Sequence, residues 1–226
     1  MTARRLASRV PAALALAALV LTVLALSPAS LRAGPTREEA LKALADTRSA
    51  DSRRQGARAL GEAGLMDDLP QLAVALRDSD PLVRDLAESA MWQVWSRSGD
   101  PAIDRLFATG LEQMQARQGE EAVETFSEII RRRPDFAEGW NKRATVYYLL
   151  GEYKKSLADC DEVMRRNPYH FGALSGYGMI YMQLDQPEQA LEYFERALSV
   201  NPNLESTRQT IEILKTLLIQ RRKDTI

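Results

Sequence analysis

Residues 137–170 read AEGWNKRATVYYLLGEYKKSLADCDEVMRRNPYH, and residues 171–204 read FGALSGYGMIYMQLDQPEQALEYFERALSVNPNL. Laid one under the other, they place Pro168 above Pro202, and Pro134 precedes Pro168 by the same 34 residues. Twice that interval separates Ala122 and Phe126 from Ala190 and Phe194. A fixed period of this length marks one supersecondary unit repeated in space, because the apolar face of each unit can be covered only by its neighbour. Three units follow, 103–136, 137–170 and 171–204. Each has a small residue at one register position, Gly110, Ala144 and Gly178, where a missing or minimal side chain lets two helices approach closely. Each proline lacks a donor and restricts the residue before it, so the second helix of every unit stops there.

The middle unit carries Trp140, Arg143-Ala144, Tyr147, Gly151, Tyr153, Ser156, Cys160 and Pro168. The third carries Leu174, Tyr177-Gly178, Tyr181, Ala190, Phe194, Ala197 and Pro202. At these spacings the chain resembles the tetratricopeptide repeat family over the 102 residues of the three units. It departs from the family pattern at Gln113, Ile129, Ser156 and Cys160. The resemblance implies helix-turn-antiparallel-helix units stacked into a right-handed superhelix, and a non-catalytic scaffold that binds a peptide or helix of a partner protein.

In that family the first helix of each unit lines a concave groove. Carried over by position, the groove residues are Phe107, Leu111 and Met114; Asn141, Thr145 and Tyr148; and Ser175, Met179 and Met182. The lysine and asparagine set with which some relatives clamp a terminal carboxylate is missing, since Phe107, Asn141 and Ser175 hold its main position. An apolar surface with adaptable methionines remains, suited to an amphipathic helix or an extended peptide with apolar anchors. Asn141 is positioned in this reading to hydrogen-bond a ligand backbone. Two readings of the nine residues stay open: a ligand surface, or core and contacts with the chain's own C-terminal helix.

Flanking segments extend the all-α solenoid in both directions. Residues 205–222 read as a capping helix, with Asn203 at its start and Ile211, Leu214, Leu217 and Leu218 at helical spacing among Glu212, Lys215 and Gln220. Residues 36–99 read as four helices, punctuated by Arg48-Ser49-Ala50-Asp51, Gly64 and Asp78-Ser79-Asp80-Pro81. Asp80-Pro81-Leu82-Val83-Arg84 with Ala87 and Ala90, and the earlier Arg53, Ala57 and Ala59-Leu60-Gly61, resemble the HEAT repeat, which implies further stacked helix pairs. Trp92 and Trp95 are expected where the two segments meet, or in plain core packing.

Composition argues against most chemistry. The 226 residues carry 30 lysines and arginines against 31 acids, a net charge of -1, so no global field draws nucleic acid. Arg131-Arg132 and Arg165-Arg166 precede the repeat prolines and read as cations at helix C-termini. One cysteine, Cys160, and one histidine, His170, supply neither a disulfide nor a zinc set. A Cys160–His170 nucleophile-base pair would require the two to face each other across a repeat. Asp159, Asp161 and Glu162 diverge around a helix and read as a solvated face rather than a metal site. No catalytic residue, metal or cofactor is expected.

The first acid is Glu38, while Arg4, Arg5 and Arg9 precede an uncharged stretch from Val10 to Leu26. That order is expected of a secretory signal. The stretch would span about 25 Å as a helix, against roughly 30 Å for a hydrocarbon core. Cleavage is expected after Ala29, with Ala33 as the alternative, which predicts an exported protein of a bacterial periplasm. The second reading keeps residues 1–29 as an inner-membrane anchor facing the periplasm.

Overall fold

Short polar side chains and prolines set the helix starts, because they satisfy or dispense with the free amides of a first turn. Asp80 accepts from the Val83 amide ahead of Pro81, Asp100 accepts from the Ala102 amide ahead of Pro101, and Thr36 forms a capping box with Glu39. The computed structural model describes residues 34–224, and all regular structure among them is helical. The helices are α1 Arg37–Leu44, α2 Ala50–Ala63, α3 Leu69–Ala75, α4 Pro81–Trp95, α5 Pro101–Gln115 and α6 Gly119–Arg132. They continue as α7 Ala137–Leu149, α8 Tyr153–Arg166, α9 Phe171–Gln183, α10 Pro187–Val200 and α11 Glu205–Asp224, with a 3-10 turn at Met66–Asp68. The expected signal or anchor segment lies outside the described residues; no described helix is long and apolar enough to cross a membrane.

The pairs α5/α6, α7/α8 and α9/α10 are the three units, and their second helices end at Arg132, Arg166 and Val200, two residues before each proline. The turn inside each pair passes through the left-handed region at Arg117 (φ 60°), Gly151 (φ 75°) and Asp185 (φ 55°), again 34 residues apart. The small-residue register works as expected. A Cβ on Gly110 would lie 2.6 Å from Phe126, and one on Gly178 would lie 2.6 Å from Phe194. Ala144 fits its Cβ because Cys160 stands where the other units place phenylalanine, and the two share a core cluster with Tyr177 and Ile180.

Around α1–α4 a separate core gathers Leu60, Leu72, Leu76, Val83, Met91 and Trp95. Ion pairs close its helix ends: Arg37 with Asp68, Arg53 with Asp78 and Arg54 with Asp80. Arg84 donates to the Asp78 carbonyl at 2.8 Å, so the two arginines of the HEAT-like register meet at one aspartate.

This segment does not simply lengthen the stack ahead of α5. It turns back onto the far end of the repeats, and Phe171, Tyr169, Val200 and Leu204 complete its core. Arg77 donates to the carbonyls of Ser199 and Val200, Asn201 Nδ2 donates to Glu88 at 2.9 Å, and Asn203 Nδ2 donates to the Leu76 carbonyl at 2.8 Å. Asn203, expected to cap α11, thus ties α11's approach to α3 instead. Ile211, Leu214 and Leu218 of α11 are buried as its spacing implied, while Ile213 and Ile219 face outward.

Candidate peptide-binding cleft

Helices α7 and α9 contribute most of the expected groove, and four of the nine residues converge there. Tyr148, Ser175, Met179 and Met182 line a cleft of ≈ 520 Å³. Ser206, Thr207 and Thr210 of α11 close one side, and Glu88 and Trp92 of α4 close another. Met179 and Met182 are each 45% exposed, a large apolar surface that nothing among the described residues covers. Gln183 donates to the Tyr148 hydroxyl at 3.4 Å across the two units.

The first unit contributes differently from expectation. Phe107 is core, 6% exposed, with its ring 6.0 Å from Phe126 and 5.5 Å from Phe136 between centroids. Leu111 and Met114 pack half-buried against that cluster. The reason is the large Phe126–Phe136 pocket, which draws in the aromatic ring and leaves the neighbouring turn to seal it. Asn141 is also withdrawn from any ligand: it is buried, and its Nδ2 donates to both oxygens of Glu138 at 3.1 Å. Thr145 is exposed, with its hydroxyl donating to the Asn141 carbonyl.

Behind the cleft lies a polar knot whose partners sequence reasoning missed. Glu138 and His170 have fully buried side chains, with His170 Nε2 2.8 Å from Glu138 Oε2 and Lys142 Nζ 2.9 Å from Oε1. His170 Nδ1 accepts from the Ala173 amide and so caps α9, which assigns the imidazole proton to Nε2 as a donor to Glu138. Burial opposes the Glu138 charge, but hydrogen bonds from His170 and Lys142 and the positive charge of Lys142 outweigh it and hold the carboxyl down at about 2. Trp95 stacks on His170 with centroids 4.3 Å apart, and Trp92 lies edge-on to His170 at 5.6 Å. Both tryptophans therefore stand where the two segments meet. A buried acid one turn ahead of Lys142, beside the position Asn141 was expected to free, was the available signal for this knot.

Neither ring nitrogen of His170 addresses Cys160, whose thiol is buried and pushed up to about 12 by desolvation and the nearby aspartates. Asp159 is not on a solvated face: it is 4% exposed and receives both Nε and a terminal nitrogen of Arg143 at 2.8 Å. Asp161 accepts from the Tyr177 hydroxyl, and Glu162 pairs with Arg165 and Arg166, so the three acids take separate partners.

Comparison with known proteins supports the repeat assignment. Family profiles described as tetratricopeptide repeat match residues 107–171 and 173–204. A TPR repeat-containing protein of Rhizobium etli is 35% identical over 92 residues, 41% of this chain and 45% of its own length. The chain thus spans less than half of that curated relative. Among solved structures, the Sgt2 TPR domain from Aspergillus fumigatus shares the fold with a TM-score of 0.52 at 18% identity, over 55% of this chain and 83% of that one. The first TPR of Spaghetti (RPAP3), bound to the HSP90 peptide SRMEEVD, aligns with a TM-score of 0.50 at 20% identity, over 52% of this chain and 93% of that one. Between Phe107 and Leu204, the helix pairs are tetratricopeptide repeats.

Proposed function

We propose that the chain is a non-catalytic protein-interaction scaffold whose cleft between α7, α9 and α11 takes a short apolar-anchored segment of a partner protein. The observation that carries this is the pair Met179 and Met182, each 45% exposed inside a bounded cleft. Flexible thioethers on a concave surface suit a ligand whose side chains differ in shape. The solved neighbour that holds an HSP90 peptide on the same fold supports a peptide as the class of ligand. The absence of a lysine-asparagine clamp at Phe107, Asn141 and Ser175 argues for anchoring by side chains rather than by a terminal carboxylate. The cleft is narrower than a whole superhelix groove, because α4 and α11 occupy its flanks.

Peptide selection from a displayed random library tests this reading. Peptides enriched on the protein should carry apolar anchors and lose binding to Met179→Glu and Met182→Glu variants with unchanged helical circular dichroism. Enrichment indifferent to both variants would remove the cleft from the account.

We infer from Arg4, Arg5, Arg9 and the run Val10–Leu26 that the scaffold is exported and works in a bacterial periplasm. The same run supports a second reading, a membrane-tethered organiser of an assembly, if it is retained. Carbonate washing separates the two: release with the soluble fraction fits the cleaved form, and retention in the pellet fits the tether.

A further inference from the structure

Trp95 Nε1 and Asn167 Nδ2 are buried donors with no hydrogen-bond partner among the described residues, and both residues line one small cavity of ≈ 110 Å³ at the junction of α4 with the repeats. Trp95 is 3% exposed and Asn167 0%. A buried N–H without an acceptor loses the hydrogen bond it had in water, so two residues carrying such donors in the wall of one space mark a place where an acceptor would be stabilised. Arg97 and Arg133 stand at the same cavity. Arg97 donates to the carbonyls of Gly61 and Gly64 and forms no ion pair with any described residue. Among the described residues Arg133 forms an ion pair only with Asp135, at 3.2 Å, whose side chain is 72% exposed at the rim, while Asp100 and Asp104 act on it from further away. The N-terminus of α7 also reaches the cavity at Ala137 and has no side-chain cap.

The repeat shows what such an acceptor is. Arg133, Asn167 and Asn201 occupy one register position, 34 residues apart. At Asn201 the side-chain N–H is satisfied by the carboxylate of Glu88 on α4, at 2.9 Å. Seven residues further along α4 comes Trp95, two turns on and about 10 Å away, on the same helix face. That step brings α4 from one repeat junction to the next. There it presents a donor where Glu88 presented an acceptor, and the carboxylate has to come from elsewhere.

We propose that this cavity binds a small carboxylate, held by Trp95 Nε1–H and Asn167 Nδ2–H with Arg97 and Arg133 balancing its charge. A water occupies about 30 Å³ of liquid, so the space fits the two oxygens and one or two carbons of a free acid or of an acidic side chain, and nothing of drug size. The site is separate from the Met179–Met182 cleft and stands whether or not that cleft binds a peptide.

Indole ¹H–¹⁵N resonances of the full-length protein provide the test, titrated at constant ionic strength with acetate, with a blocked Gly-Asp-Gly peptide and with inorganic phosphate. Saturable movement of the Trp95 resonance with acetate or the peptide is expected; acetate alone identifies a free acid, and the peptide identifies an acidic side chain. Asn167→Asp keeps the oxygen that accepts from the Tyr169 amide while replacing the donor by an acceptor. It should weaken binding about tenfold or more; Trp95→Phe, which keeps a ring against His170 but removes the reporting indole, should do the same when acetate and peptide binding is read by titration calorimetry. No saturable response to any probe would show that the cavity holds water only and overturn the proposal. So would a response to phosphate with none to either carboxylate, or full-strength acetate binding by a folded Asn167→Asp.

Discussion

Cys160 stands opposite Ala144 at the point where the flanking units set Phe126 opposite Gly110 and Phe194 opposite Gly178. The helix pair keeps its close approach by trading volume between the two positions: a large ring needs a bare backbone, and a small thiol admits a methyl group. Introducing Cys160→Phe alone should overpack the unit and cost about 1–3 kcal/mol. Ala144→Gly alone should cost about 1 kcal/mol through helix propensity. Combined, they should restore the arrangement of the neighbouring units, with a favourable coupling of at least about 1 kcal/mol in urea unfolding. Strictly additive costs would show that the two positions do not share that space.

This same trade explains what could be read without coordinates. The prolines, the small-residue register and the period of 34 belong to contacts between neighbours in sequence, so they recur and can be recognised. The groove positions of the resembled family, carried onto that register, include Tyr148, Ser175, Met179 and Met182, which line the cleft. Phe107 and Asn141 occupy equivalent positions but were captured by local partners, Phe136 and Glu138, that the other units lack. The return of α4 onto the third unit rests on pairs such as Glu88 with Asn201, 113 residues apart, and no periodicity reports a contact made once.

Arg117 and Asp185 hold left-handed turns that Gly151 holds without a side chain. A side chain in that region costs roughly 1–2 kcal/mol, while glycine adds about 0.4–1 kcal/mol of unfolded-state freedom. Arg117→Gly should therefore raise stability by about 0.5 kcal/mol. Asp185→Gly should gain less, because it also removes the contact with Arg221 at 2.5 Å. Paired urea titrations check the order; a loss in Arg117→Gly would mean that its side chain contributes more than its backbone costs.

Glu138 gives the fold a defined acid sensitivity. Its carboxyl is held at about 2 in the folded protein and titrates near 4.5 when unfolded. A depressed folded value contributes stability that is complete above about pH 4.5 and is lost as pH falls toward 2. The full contribution is about 3 kcal/mol for a buried group shifted this far. Glu138→Gln should thus be less stable than the parent at pH 6 by a gap of that order, and the gap should close on acidification through this window. A gap constant from pH 6 to pH 2.5 would mean that Glu138 acts through shape and hydrogen bonds rather than charge.

Gly172 tests how α4 is held against the repeats. A Cβ there would lie 2.6 Å from Trp92 Cη2, and Trp92 cannot simply rotate away, since Trp95, His170 and Phe171 pack around its ring with centroids 4.9, 5.6 and 5.4 Å distant. Gly172→Ala should cost about 1–3 kcal/mol by overpacking, in spite of alanine's better helix propensity. Its effect should concentrate at the docking contact: cleavage by added protease in the 96–100 connection should quicken, and tryptophan emission should shift red as Trp92 meets water. The helices within each unit should keep their amide protection, because their contacts with each other do not pass through Trp92. If the variant matches the parent in both readouts, Trp92 has swung into the Met179 cleft at little cost. Docking would then rest on the Arg77, Asn201 and Asn203 hydrogen bonds, and removing Asn201 Nδ2 would be the change that frees α4.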